Sequence, residues 1–286
     1  MPSSLSVVLP ARNEATGLAA VLPRLRVLYP EAELIVVDDG SDDDTGDVAR
    51  QAGADVLRSP YPMGNGAAIK RGARHARGEV IVFMDADGQH DPAHLQQLLD
   101  RLDQGYDMAV GARGRGGQAS VHRGLANTVY NRLASWMTGQ RVLDLTSGLR
   151  AVRANRFREF LHLLPNGFSY PTTCTMAFFR SAYPVAYVPV PVGARVGARS
   201  HVRPLRDGVR FLLIIFRIAT LYSPLKLFAP VSVGFLALGL GWYGWTLTAE
   251  GRFTNMSALL LSAAVIIFLI GLVSEQITAL TYRRDA

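Results

Sequence analysis

Five consecutive apolar residues, Val80-Ile81-Val82-Phe83-Met84, run directly into Asp85-Ala86-Asp87-Gly88-Gln89-His90. An apolar run this short, without polar alternation, has the character of a strand covered on both faces, as in a parallel sheet. Ligands of open α/β sheets bind beyond the carboxyl ends of the strands, which is where the two carboxylates fall. Side chains at i and i+2 leaving a strand point to the same side. Asp85, Asp87 and Gln89 therefore offer the oxygen donors that a hard divalent cation takes, with its remaining positions left to phosphate and water. Turns also collect aspartate; the position at the strand end favours the metal reading.

Outward from this stretch, Leu5–Leu9, Glu33–Val37, Ala54–Leu57, Glu79–Met84 and Asp107–Gly111 are further runs rich in Val, Ile and Leu. Between them lie helical patterns, such as Leu18, Val21, Leu22, Leu25 and Leu28. Strands alternating with helices predict an α/β domain with a mostly parallel sheet. Polar clusters follow other strands as well. Pro10-Ala11-Arg12-Asn13-Glu14 follows the first, with Asn13 placed to cap a helix. Asp38 and Asp39 end the second, and Asp42–Asp44 read as the acid-rich start of a helix. Gly64-Asn65-Gly66 opens a helix over Ala67–Ala76. With Ile69 where a third glycine would stand, it is no dinucleotide fingerprint; a helix end facing an anion and a tight turn both stay open. Phosphate-loop, nucleophile-elbow and His-Glu-x-x-His patterns are absent from the sequence.

The charge is unevenly spread over the 286 residues, whose net is +7. Residues 1–194 hold 20 basic and 19 acidic side chains, whereas 195–226 hold seven basic ones against Asp207 alone. Two runs of 22 residues without a charge follow, Leu227–Thr248 and Phe253–Ser274. About 20 apolar residues span a hydrocarbon core, so both are expected to cross a membrane. A basic belt beside them reads as a bilayer contact, and nucleic acid drops out as a partner. Arg217 and Lys226 before the first run, and Arg283 and Arg284 after the second, put residues 1–226 and the C-terminus on the cytoplasmic side. The expected location is thus the cell (inner, cytoplasmic) membrane, with multiple spans. The single Cys174 suits a reducing compartment. Glu275, near the end of the second run, reads as a carboxylate snorkelling to the interface. Arg203, Arg206, Arg210 and Arg217 share an arc of about 60° on a helical wheel, amid Leu205, Val209 and Phe211–Phe216. That pattern predicts an interfacial helix, its arginines facing headgroups or a lipid phosphate, with Arg199 just ahead of it.

VVLPARNE, IVVDDGSDDDT, GNGAAIKRGARHARGEVIVFMDADGQHDP, the strand end Gly111-Ala112-Arg113 and LTSGLRAVR resemble family 2 glycosyltransferases of the GT-A fold. Within that family the chain is similar to the dolichyl-phosphate mannose synthase-like, polyprenyl-phosphate group. VGARSHVRPLRDGVRFLL followed by two spans is similar to its bacterial two-span members. The resemblance implies a nucleoside-diphosphate sugar donor, a polyprenyl (undecaprenyl or dolichyl) phosphate acceptor, Mg2+ or Mn2+, and inversion at the anomeric carbon. Position by position, it implies that Pro10, Arg12 (Tyr in some members), Glu14, Asp38, Asp39 and Ala86 touch the nucleotide sugar. It makes Asp85 and Asp87 the metal pair and Gln89 a further contact, and puts Arg113 near the donor. Arg195 and His201 fall on a loop closing over the diphosphate, with Asp87, Arg113 and Arg195 taken as catalytic. His201 stands where Lys is commoner, which makes that charge pH-dependent. A lipid monophosphate, with a second pKa near ~6, is itself a nucleophile and needs no general base.

Three parts are expected: a glycosyltransferase domain at 1–194, a basic loop and interfacial helix at 195–226, and a transmembrane hairpin at 227–286 with spans of about 227–248 and 253–278. Two other functions compete. A processive polysaccharide synthase would carry a Gln-x-x-Arg-Trp motif and more spans. A non-catalytic nucleotide-sugar-binding scaffold would have no use for an intact Asp85/Asp87 pair. Arg150 is open between an acceptor contact and a structural salt bridge, and residues 165–182 are candidates for the lining of the sugar pocket. Sugar, base and oligomeric state, a homo-oligomer included, are open.

Overall fold

In the computed structural model the described residues are 4–113, 121–167, 169–191, 193, 216, 220 and 222–282, without the side chains of 121–127. The chain divides into two compact units, Met1–Val202 and Arg203–Ala286.

The first unit is built on a seven-stranded sheet. Its strands are β1 (Leu5–Ala11), β2 (Glu33–Asp38), β3 (Asp55–Arg58), β4 (Val80–Phe83), β5 (Met108–Arg113), β6 (Arg150–Arg153) and β7 (Val185–Val190), in the order β3-β2-β1-β4-β6-β5-β7. The expected runs all form strands, and the sheet is mostly parallel. β1 pairs in parallel with both β2 and β4, and β5 with β7. Val7, Val8 and Leu9 of β1, and Ile81, Val82 and Phe83 of β4, are fully buried. Continuous apolar strands are what a sheet covered on both faces requires. The covering helices are α1 (Ala15–Leu28), α2 (Thr45–Gln51), α3 (Asn65–His75), α4 (Leu95–Asp103), α5 (Val121–Thr138), α6 (Ala154–Arg158) and α7 (Tyr170–Arg180).

Two strands escape the hydrophobic pattern. β6 is four residues with arginine at both ends, and it runs antiparallel to β4 and β5. Its register sets Phe83 opposite Arg150, so the beginning of β6 reaches the edge where β4 ends. β7 alternates in burial and contains Pro189, a residue tolerated at the border of a sheet.

Asn13 is not a helix cap. It has φ +55°, and its Oδ1 accepts from the Asp42 N–H at 2.9 Å, joining the β1 and β2 ends. Glu14 precedes α1 instead, without a side-chain cap. Asp42–Asp44 do stand at the start of α2; Asp43 accepts from both Thr45 N–H (3.0 Å) and Ala15 N–H (3.3 Å).

In the second unit, α8 (Pro224–Glu250) and α9 (Asn255–Thr281) are each long and apolar enough to cross a membrane. Their ends differ from the expected spans by two or three residues. Ser232, Gly239 and Thr246 on α8, and Ser257, Ala264, Gly271 and Thr278 on α9, are buried at seven-residue spacing. Small residues at such positions let two helices approach closely. Ser232 Oγ donates to the Ala264 carbonyl at 2.8 Å. Glu275 does more than snorkel: its Oε2 accepts from the Leu225 N–H at 3.2 Å, satisfying a donor in the first turn of α8.

Candidate active site

β1, β2 and β4 end side by side, and helical crossovers leave β1 toward β2 on one side and reach β4 on the other. A crevice opens at such a switch point. Here it is a cleft of about 440 Å³. Pro10, Arg12 and Glu14 come to it from β1, Asp39 from β2, and Asp85, Ala86 and Asp87 from β4. Seven residues predicted for donor or metal binding thus share one cavity.

Asp39 shapes the cleft while facing it. Its two oxygens accept from the Met63 and Gly64 N–H groups at 2.7 and 2.8 Å. Gly64 has φ +103°, a conformation costly to residues with a Cβ. Residues 165–167 lie against this turn, and the Asn166 carbonyl accepts from Ala67 N–H at 3.1 Å. Gly64-Asn65-Gly66 makes a tight turn, and Gly64, Asn65 and Ala68 also line the cleft, so this helix start both meets a carbonyl and faces the cavity. Lys70 fastens the same loop, donating to the Leu164 carbonyl (3.0 Å) and to Asn166 Oδ1 (2.5 Å).

The other wall comes from segments with no apolar-run signal. Thr146, Gly148, Tyr170 and Pro171 line it. The Asp85 carboxylate lies directly over Gly148, in the space a Cβ would occupy. Burial pushes the Tyr170 phenol well above its ordinary pKa, so it stays neutral.

Three predicted residues sit behind the cleft rather than in it. Asp38 is fully buried; Oδ1 accepts from Ser41 N–H at 2.9 Å and Oδ2 faces Arg58 Nε at 3.6 Å. It supports the turn after β2, and Asp39 alone of the pair reaches the cleft. Gln89 donates from its backbone to Asp87 Oδ1 (3.1 Å) and from its side-chain Nε2 to the Gly193 carbonyl (3.4 Å). Arg113 is gripped by Asp144, Nε to Oδ2 at 2.8 Å and Nη2 to Oδ1 at 3.0 Å, and also meets Thr146 Oγ1. Donating to the Asp144 carboxylate raises the guanidinium pKa further. Burial pushes the Asp144 carboxyl up, but the bonds and charge of Arg113 outweigh it and hold that pKa below the ordinary value. Asp144 carries no sequence signal beyond an acid just ahead of the LTSGLRAVR stretch, within which Thr146 lies. His90 is buried beside these groups, and its desolvation lowers the imidazole pKa, leaving it neutral at pH 7. Arg195, Arg199, His201, Arg203, Arg206, Arg210 and Arg217 lie outside the described residues.

Asp85 and Asp87 bring two carboxylates to the cleft that could hold a hard divalent cation. Among the described residues no three of His, Cys, Asp and Glu are grouped closely enough to hold such an ion. A two-carboxylate site leaves most positions to phosphate and water, which suits a metal arriving with a diphosphate.

Residues 6–183 match the profile Glycosyl transferase family 2, and residues 223–280 match the GtrB C-terminal hairpin. The chain belongs to glycosyltransferase family 2. Among curated relatives of this glycosyltransferase is Glycosyltransferase AglJ of Haloferax volcanii, 27% identical over 98% of this chain and 95% of that protein. The Dolichyl-phosphate hexose transferase of the same organism is 34% identical over 68% of this chain and 84% of its own length. Polyprenol monophosphomannose synthase of Mycolicibacterium smegmatis is 32% identical over 64% and 75%. Among solved structures, glucosyl-3-phosphoglycerate synthase from Mycobacterium tuberculosis, in complex with Mn2+, UDP and phosphoglyceric acid, superposes with a TM-score of 0.61. It is 26% identical and the match covers 76% of this chain and 78% of that one.

Proposed function

We propose that this glycosyltransferase moves a sugar from a nucleoside diphosphate to a polyprenyl phosphate, making a lipid-linked monosaccharide at the membrane. The observation that carries the reading is one chain holding both a family 2 cleft and an apolar hairpin that matches the GtrB hairpin. A membrane anchor serves an acceptor that never leaves the bilayer, and among the relatives one is a dolichyl-phosphate hexose transferase, another a polyprenol monophosphomannose synthase and a third an undecaprenyl-phosphate mannosyltransferase of Micrococcus luteus. Basic residues flank the hairpin on one side, which favours a cytoplasmic catalytic domain.

In this reading Pro10, Arg12, Glu14 and Asp39 receive the nucleotide, and Asp85 and Asp87 hold a divalent ion, Mg2+ or Mn2+. When bound, such an ion neutralises charge on the departing diphosphate. An oxygen of the acceptor phosphate attacks the anomeric carbon as its bond to the diphosphate breaks, and the electron pair leaves on the diphosphate oxygen. No proton need be removed from the attacking oxygen, because the phosphate is already largely ionised at pH 7. Arg113, fixed by Asp144, contributes permanent positive charge behind the cleft, while Arg195 and His201 are assigned to the diphosphate from sequence alone.

A panel of nucleotide sugars with undecaprenyl or dolichyl phosphate, with and without Mg2+ or Mn2+, tests the function. Lipid-linked sugar should form with the phosphate and not with the free alcohol. Transfer to a soluble acceptor while every lipid phosphate is refused would overturn the reading. The arginine stripe makes a separate prediction. Joint replacement Arg206→Gln and Arg210→Gln should raise the apparent KM for the lipid by up to roughly 30-fold, at about 1 kcal/mol per charge near an anionic surface. The donor KM should stay within about twofold; an unchanged lipid KM would remove these arginines from acceptor capture.

A further inference from the structure

Arg150 opens β6 and is fully buried, yet it is absent from the lining of the cleft. It forms neither the acceptor contact nor the salt bridge considered from sequence: no described carboxylate lies within ion-pair distance. Nη2 donates to the Ser147 carbonyl at 2.7 Å, and Nη1 to the Pro171 carbonyl at 2.9 Å and Thr175 Oγ1 at 3.3 Å. Its Cζ stands 5.8 Å from the centre of the Tyr170 ring. A similarly sized apolar residue would fill this space without desolvating a charge, so filling space is a poor account of an arginine here.

Its partners suggest a better one. Ser147 lies between Thr146 and Gly148, both in the cleft wall, and Pro171 with Tyr170 forms the rest of that wall. Gly148 in turn carries the Asp85 carboxylate. The backbone of Arg150 is fixed to the sheet opposite Phe83, one residue before Met84 and two before Asp85. We propose that Arg150 is a positioning residue for the metal end of the cleft: its planar fork ties the Thr146–Gly148 segment and the first turn of α7 to the sheet, and through Gly148 it sets where Asp85 stands. The fork matters as well as the charge. Guanidinium nitrogens diverge in one plane and reach two carbonyls at once, whereas a lysine ammonium is a single point on a flexible stem.

The inference rests on Asp85 and Asp87 being metal ligands, and its test separates the two claims. The full-length chain in detergent is titrated with Mn2+, alone and again with UDP or GDP present, protein-bound ion being followed by electron paramagnetic resonance against a protein-free blank; transfer kinetics are measured in parallel. Arg150→Lys and Arg150→Met should each weaken Mn2+ binding about tenfold, the lower end of what supporting residues around a metal site contribute. The KM for Mn2+ in transfer should rise equally, and the KM for the lipid should stay within about twofold. Wild-type protein that binds no Mn2+ overturns the metal assignment itself. Wild-type protein that binds while folded Arg150→Lys binds equally well overturns the positioning role alone. Should neither Arg150 variant fold, Thr175→Val removes one partner of the fork; about threefold weaker Mn2+ binding supports the role, and unchanged binding overturns it.

Discussion

Replacing Asp87 by alanine is expected to lower kcat for sugar transfer by about three orders of magnitude, equivalent to several kcal/mol of charge stabilisation at the departing diphosphate. The fold should survive. Asp87 comes after the last residue of β4, outside the ladder and outside the apolar core, and it accepts from the Gln89 N–H at 3.1 Å. Losing that bond removes about 1 kcal/mol from a domain whose core lies in β1, β2 and β4. Thermal unfolding should therefore shift by a few degrees at most. Asp87→Asn sharpens the experiment, since it keeps shape and one oxygen but removes the charge; it should resemble alanine in kcat and wild type in unfolding. If Asp87→Ala transferred sugar at the wild-type rate with all divalent metal chelated, the metal-dependent reading would be falsified.

How much could be read beforehand depended on which physical signal each part leaves in a sequence. Parallel strands buried on both faces must be apolar throughout, so β1, β2, β4 and β5 stood out as runs, and the residues at their ends were found with them. Pro10, Arg12, Glu14, Asp39, Asp85, Ala86 and Asp87 follow such runs and meet in the cleft. Asp38 and Asp39 look alike in sequence, but neighbouring residues at a strand end face different ways, and only Asp39 reaches the cavity. β6 was illegible because a buried arginine opens it, and β7 because Pro189 interrupts it. The antiparallel insertion of β6 leaves no periodic signal either. With β6 went Thr146 and Gly148 of the second wall, which reach it through that reversal, whereas Tyr170 and Pro171 of the same wall lie in the 165–182 stretch that the sequence offers as pocket lining. Length and apolarity mark the two helices of the hairpin in the sequence. What its composition hid was the contact between Glu275 and the start of α8, which depends on which residues face each other.

Gly148→Ala is the smallest change that should damage the site severely. Gly148 does not require glycine for its backbone conformation, which lies outside the left-handed region. It requires glycine because the atoms of the Asp85 carboxylate occupy the place of the missing Cβ, leaving no room for a methyl group. Either Asp85 turns away or the Thr146–Gly148 segment retreats, and the segment is held: Ser147 by Arg150, and Thr146 by Asp144 at 3.0 Å. The carboxylate should therefore move, by about the 1 Å that costs a catalytic constellation on the order of a hundredfold in rate. Expected are a kcat/KM about a hundredfold below wild type, weaker Mn2+ binding, and an unfolding temperature little changed, because Gly148 is outside the packed core. Lowered unfolding temperature with intact Mn2+ affinity would show the opposite, that the wall yields and Asp85 stays. The pair Gly148→Ala with Asp85→Ala discriminates further. If Gly148 acts only through Asp85, adding its alanine to Asp85→Ala should cost almost nothing more, the non-additivity expected of two residues sharing one contact.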